Sequence, residues 1–161
     1  MFREAGVEDF EGVMRLYRQL HPTDPVRRDG HDAEVFAEIV GTPGLRLFVL
    51  EVDGRVVATT YLNVIPNLTR GTAPYAVIEN VVVDAELRGS GLGKRIMAGT
   101  LQAAKDAGCY KVMLMTGSRR ESTHAFYRAC GFDAGEKTAY VIWPGRESAQ
   151  AVELVEGDLQ V

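Results

Sequence analysis

Three alternate glycines, Gly89, Gly91 and Gly93, stand where a β-rich run gives way to a helical one, and this junction constrains the chain more than any other feature. The stretch reads Val81-Val82-Val83-Asp84-Ala85-Glu86-Leu87-Arg88-Gly89-Ser90-Gly91-Leu92-Gly93-Lys94. Before it, Tyr75 to Val83 is rich in β-branched residues, which predicts a central strand buried on both faces. After it, Leu92, Ile96, Met97, Leu101 and Ala104 recur at helical spacing and close at Gly108, a residue suited to a left-handed helix stop. Of 17 glycines in 161 residues, four lie between Gly89 and Gly99. A strand that enters a helix through such a loop brings backbone amides close together, and the free N–H groups add to the positive end of the helix dipole. The junction therefore predicts a binding place for an anion, phosphate above all, with Arg88, Lys94 and Arg95 as added cations.

Spacing excludes two phosphate-binding patterns. The nucleotide loop GxxxxGK[ST] needs glycine at position 88 and Ser or Thr at 95, where Arg88 and Arg95 stand. The dinucleotide fingerprint GxGxxG needs glycine at 94 or 96, where Lys94 and Ile96 stand.

The rest of the chain supplies further elements. Arg3 to Ala5 predicts a short strand, and Phe10, Val13, Met14, Tyr17 and Leu20 mark a helix with one buried stripe. A second helix is expected over Ala33 to Val40, before the breakers Gly41-Thr42-Pro43-Gly44. Leu45 to Val52 and Arg55 to Val64 flank Asp53-Gly54 as a tight hairpin. Lys111 to Thr116 reads as a strand, and Glu121 to Cys130 as a helix burying Phe126, Ala129 and Cys130. Phe132 to Ala134 and Lys137 to Trp143 read as two last strands, and Pro144 to Val161 as a tail. The order β, α, α, three strands, α, strand, α, two strands predicts a mixed α/β sheet with helices on both faces. One domain over 1–143 followed by a tail over 144–161 is the expected organisation.

Composition narrows the function classes. A chain of 161 residues with 46% hydrophobic and 25% charged residues can build one core without disulfide or metal staples. Its net charge of -4 gives no general pull toward nucleic acid or anionic membrane. The two cysteines, Cys109 and Cys130, lack CxxC spacing and partner histidines, so no metal site is expected and a reducing, cytoplasmic setting fits. The opening Met1-Phe2-Arg3-Glu4-Ala5-Gly6 lacks the pattern of a secretory leader, and no run approaches the ~18 apolar residues of a membrane span.

The form [QR]xxGx[GA], written here as Arg88-Gly89-Ser90-Gly91-Leu92-Gly93, resembles the pyrophosphate-binding loop of the GNAT superfamily of acyl-CoA-dependent N-acetyltransferases. Its context resembles that family too: the run Ile78 to Val83 before it, a helix and a strand after it, and then His124-Ala125-Phe126-Tyr127-Arg128-Ala129-Cys130-Gly131-Phe132. Phe2-Arg3-Glu4-Ala5 with Val7-Glu8-Asp9 is similar to the family's opening. The resemblance covers about residues 2–143 and is strongest, toward glucosamine-phosphate N-acetyltransferases, from Ile78 to Gly93. It implies a mostly antiparallel twisted sheet, acetyl-CoA as acyl donor, and transfer to a primary amine by direct attack in a ternary complex. It also implies that dimers are common.

An amine with a pKa of about 10.4 is protonated at neutral pH, so a base or a water chain must take its proton. Glu79, in the strand that resembles the family's central one, is the candidate base, against the plainer reading of a solvent-facing or Arg-paired carboxylate. The resemblance gives Tyr127 the role of acid toward the leaving thiolate; a tyrosine merely packed on the sheet is the alternative. Backbone groups of Val81, Val82 and Val83 would pair with the pantetheine arm. An N–H freed by a bulge around Asn80 to Val82 would face the oxyanion. Arg88, Gly89, Ser90, Gly91, Leu92, Gly93 and Lys94 would hold the pyrophosphate. The family often has Asn shortly before its aromatic pair; none stands here, and Ser122 or Thr123 are the substitutes. His124 reads as a helix-surface residue, and Cys109 and Cys130 as small buried side chains.

Acceptor choice is expected to rest on Pro22 to His31, on Ile65 to Pro74 and on Gly135 to Thr138, with Tyr61, Asn67, Arg70 and Thr116 as contacts. Small amines and amino sugars are favoured over protein amino groups. A non-catalytic acyl-CoA-binding or sensing module is the rival reading.

Overall fold

The computed structural model describes residues 1–27 and 29–144. Its elements are β1 (Phe2–Glu4), α1 (Phe10–Leu20), α2 (His31–Gly41), β2 (Leu45–Val52), β3 (Arg55–Ile65), β4 (Tyr75–Val83), α3 (Leu92–Asp106), β5 (Val112–Leu114) and α4 (Glu121–Ala129). The strands form one sheet in chain order, antiparallel except for the parallel pair β4–β5. A parallel pair needs a crossover, and α3 provides it. The β2–β3 hairpin turns where expected: Asp53 and Gly54 adopt φ of 49° and 74°, the left-handed pair that matches the twist of the flanking strands.

Helices cover both faces, each through its own apolar stripe. On one face Val13 and Leu16 of α1 and Phe36 of α2 pack against Leu47, Val49, Val56 and Val82. On the other, Ile96, Met97, Ala103 and Ala104 of α3 meet Phe48, Leu50, Leu62 and Ile78. Each fully buried aliphatic side chain contributes about 1.5–3 kcal/mol, so Leu16 and Leu62 anchor opposite faces of the sheet. Close approach of α3 to β1 requires Gly99, since a Cβ there would lie 2.6 Å from the Phe2 ring.

The C-terminal part departs from the sequence reading. No strand forms at Phe132–Ala134 or Lys137–Trp143 among the described residues, and Tyr140, Val141 and Ile142 are exposed. β-propensity expresses fit to a pleated, half-buried surface, and no neighbouring strand gives this segment one. β5 is likewise shorter than the expected Lys111 to Thr116, and Ala129 is exposed rather than buried. Apart from Pro144, the expected tail lies outside the described residues.

Candidate active site

β4 has two different edges. Toward β3 it pairs from Tyr75, opposite Ile65, to Val83, opposite Ala58. Toward β5 it pairs only through Ala76, Val77 and Ile78. From Glu79 onward no strand pairs with that second edge among the described residues. The parting coincides with a bulge: Thr59 faces Val82 and Tyr61 faces Glu79, so Asn80 and Val81 stand together opposite Thr60. Asn80 has φ of 50°, a left-handed conformation that Asn tolerates better than most residues. Such an insertion bends its strand and disrupts the local ladder. Beyond it Val82 faces α1, while Val81 and Val83 pack toward α3.

The bent strand delivers the chain to a tied-down loop. The buried Asp84 carboxylate accepts from Arg15 at 2.5 Å, from Arg55 at 2.8 Å and from the Glu86 N–H at 3.3 Å. The Arg15 guanidinium, more than any other neighbour, holds this carboxyl below the usual range. Gln19, one helical turn beyond Arg15, accepts from the Ala85 N–H at 2.8 Å. Arg88 Nε donates to the Val83 carbonyl at 3.3 Å, and Ser90 Oγ to the Leu87 carbonyl at 2.5 Å.

Gly89 and Gly91 adopt φ of 80° and 86°, with open space where side chains would project. Among the described residues no side chain caps α3, and the first backbone bond back is Arg95 N–H to the Gly91 carbonyl at 3.1 Å. The first-turn N–H groups of Leu92, Gly93 and Lys94 therefore lack helical partners. Gly93 lets α3 lie against α4, because a Cβ there would stand 3.1 Å from the Phe126 ring.

From α4, Tyr127 closes the far side. Its ring packs against Phe126 and Phe132 at centroid distances of 5.2 and 6.2 Å. Burial pushes its hydroxyl pKa up, and the nearby Cys130 and Glu79 add to the rise. Glu79 is half-buried, beside Tyr61 in register. Burial also raises the Cys109 and Cys130 thiols, which disfavours reactive thiolates. His124 Nε2 contacts the Ser118 carbonyl at 2.8 Å, and the Thr123 hydroxyl accepts from Ser118 Oγ at 3.1 Å. These contacts organise the entry to α4.

A cleft of about 570 Å³ opens on the α1 face. Met14, Tyr17, Arg18 and His21 of α1 and its exit line one wall, Pro22 to Arg27 another, and Asn80 of the bulge lies at its inner end. Of the expected Pro22 to His31 segment, Pro22, Asp24, Pro25, Val26 and Arg27 line this cleft. Tyr61, Asn67, Arg70 and Thr116 all lie outside the cleft lining; Asn67 spends its amide on Thr69 and Ala73 within its own loop. Among the described residues no group of three His, Cys, Asp or Glu could hold a metal ion, and no helix is long and apolar enough to cross a membrane.

Sequence reasoning missed Arg15, Tyr17 and Asp84. Arg15 and Asp84 are 69 positions apart, and Tyr17 reads as one more member of an apolar stripe.

A model of the acetyltransferase (GNAT) family matches residues 10–132. A glucosamine 6-phosphate N-acetyltransferase of Trypanosoma brucei brucei is 37% identical over 92 residues, which are 57% of this chain and 60% of that protein. The chain thus spans less than two thirds of that relative's length. Glucosamine 6-phosphate N-acetyltransferase 1 of Oryza sativa subsp. japonica is 33% identical over 124 residues, 75% of this chain and 73% of the relative. Among solved structures, a putative acetyltransferase from Agrobacterium tumefaciens str. C58 matches with a TM-score of 0.84 and 43% identity, over 89% of this chain and 99% of that one.

Proposed function

Because the chain belongs to the GNAT family of acetyltransferases, we propose that it moves an acetyl group from acetyl-CoA to a primary amine by direct attack in a ternary complex. One observation carries this reading: the edge of β4 from Glu79 to Val83, unpaired with β5, leads through the Asp84–Gly91 loop to the start of α3, which has no side-chain cap among the described residues. An extended pantetheine arm would lie on that edge like an added strand. The N–H groups from Gly89 to Lys94, with the cations of Arg88 and Lys94, would hold the pyrophosphate.

Bound acetyl-CoA supplies an activated thioester carbonyl. Glu79 takes the proton of the acceptor ammonium, directly or through one water, which frees the nitrogen lone pair to form the C–N bond. A backbone N–H at the Asn80–Val82 bulge faces the oxygen as it gains charge. When the C–S bond breaks, the electron pair leaves on sulfur and Tyr127 gives that thiolate its proton; the second proton of the attacking nitrogen passes through water to the Tyr127 phenolate, which leaves a neutral amide and the CoA thiol.

The acceptor enters by the α1-side cleft. Its lining mixes Arg18, His21 and Arg27 with Asp24 and Asp32 over the apolar Met14, Pro22, Pro25 and Val26. That mixture suits a small polar amine with groups of both signs, and an amino sugar or its phosphate fits it better than a protein tail. Both named relatives carry glucosamine 6-phosphate in their names. A cytoplasmic setting, with no metal, nucleic acid or membrane partner, and a homodimer belong to the same reading.

Thermal unfolding with acetyl-CoA, with CoA, and with ATP and NAD as controls tests the donor site without knowledge of the acceptor. A ligand at ~100 times its Kd adds about 2.7 kcal/mol, which is roughly 5–10 °C for a chain of this size. A shift with the two coenzyme A species alone is expected, followed by thiol release with glucosamine 6-phosphate or another small amine. A shift with ATP or NAD instead overturns the reading.

A further inference from the structure

The glycine loop braces itself from within but takes its direction at its root. The Leu87 N–H donates to the Asp84 carbonyl at 2.9 Å, and the Ser90 N–H and hydroxyl both donate to the Leu87 carbonyl. Among the described residues, every polar tie from residues 84–91 to an element other than β4 and α3 falls on Asp84, Ala85 or Glu86. From β3, the Val57 carbonyl accepts from the Asp84 N–H at 2.8 Å, and Arg55 reaches the Asp84 and Glu86 carboxylates. From α1, Arg15 donates to the Asp84 carboxylate and Gln19 accepts from the Ala85 N–H. The mechanism above gives neither α1 residue a task.

α1 carries these two residues on a stripe of their own. Val13 and Leu16 enter the core, and Met14, Tyr17, Arg18 and His21 line the cleft. Gly12, Arg15 and Gln19, three and four positions apart, form the remaining stripe. Gly12 lets that stripe close on β3, where a Cβ would stand 3.1 Å from the Val56 side chain. The approach brings Arg15 Nη2 to 2.7 Å from the Val56 carbonyl while Nη1 holds Asp84. One rigid guanidinium fork thus joins α1, β3 and the loop root. One helical turn on, Gln19 holds the next loop residue at 2.8 Å. Two successive loop residues held by two side chains one turn apart are fixed in orientation as well as in place.

We propose that Arg15 and Gln19 are positioning residues for the acyl donor, setting the direction in which residues 89–94 present their N–H groups without touching donor or acceptor. The proposal rests on the N-acetyltransferase reading for its effect on binding, and on the hydrogen bonds alone for its effect on the loop.

Arg15→Met removes both arms of the fork. Gln19→Leu removes one acceptor at an exposed site, so folding is not at risk. A misaimed N–H forfeits a hydrogen bond to a charged group, about 10- to 100-fold in affinity. By calorimetry well below the melting temperature, acetyl-CoA affinity should fall by that factor in Arg15→Met and by about three- to tenfold in Gln19→Leu. KM for glucosamine 6-phosphate and kcat at saturating donor should change less than about twofold, a split that mere destabilisation would not produce.

Amide hydrogen exchange reads the loop without ligand. Both variants should speed exchange at Ala85 and from Gly89 to Lys94 while leaving Tyr75 to Ile78 unchanged, and Gln19→Glu, which keeps an acceptor oxygen, should exchange as the wild type does. Wild-type acetyl-CoA affinity in both variants, losses of donor affinity and kcat together, or unchanged exchange in the loop would each overturn the proposal. Absence of acetyl-CoA binding by the wild-type protein would instead count against the enzyme reading and leave the exchange result to decide on Arg15 and Gln19.

Discussion

The two halves of β4 belong to one continuous strand and differ in how their edges are paired. Tyr75 to Ile78 is held by β3 on one side and β5 on the other, with Ala76 and Ile78 in the core. Glu79 to Val83 keeps only the β3 side. One inserted residue at Asn80 separates the doubly paired half from the half that the proposed function assigns to binding. A run of β-branched side chains can thus pack while its backbone remains available, because packing uses the faces of a strand and binding uses its edge.

The strongest way to break this comparison is to remove the proposed base. Glu79→Gln is expected to lower kcat by about 10²–10⁴-fold while acetyl-CoA affinity by calorimetry changes less than about threefold. Loss of affinity instead would place Glu79 in the donor site. Next comes the loop that the second half feeds. Gly91→Val forces a β-branched residue into the left-handed region, and acetyl-CoA affinity should fall by about 10- to 100-fold with little change in melting temperature. Val77→Ala in the first half should do the reverse, with a lower melting temperature and unchanged affinity.

Tyr127→Phe should lower kcat by about tenfold. With its hydroxyl held above the ordinary value of about 10, the acid stays protonated and the alkaline fall in kcat begins only above that pH. A fall near pH 8 would point to another group.

The smallest effect concerns stability. Asp84 has a depressed pKa in the folded state, so its contribution is full above the unfolded value of about 3.9 and is lost as pH falls through and below it. Asp84→Asn should therefore lower the melting temperature by several degrees at pH 7, about 1–3 kcal/mol for hydrogen bonds to charged partners, and flatten its fall between pH 5 and 3. An unchanged acid limb would show that other carboxyls dominate it.

Local signals carried what the sequence made legible. Asp53-Gly54 fixed one hairpin, the glycines from Gly89 to Gly93 located the loop, and helical spacing located α1 and α3. Long-range contacts are silent: Arg15 reaches Asp84, Gln19 reaches Ala85 and Tyr17 shares a cleft with Asn80, and none of these pairs shares a local motif. At the C-terminal end the reverse occurred. The apolar run near Tyr140 looked like a strand, but pairing depends on a neighbour that local propensity does not reveal.

Amide hydrogen exchange with and without acetyl-CoA tests the central claim most directly, because it reads both halves of β4 at once. The account predicts new protection from Glu79 to Val83 and from Gly89 to Lys94, with Tyr75 to Ile78 unchanged. Protection spread evenly along β4, or absent from both the edge and the glycine loop, would contradict it.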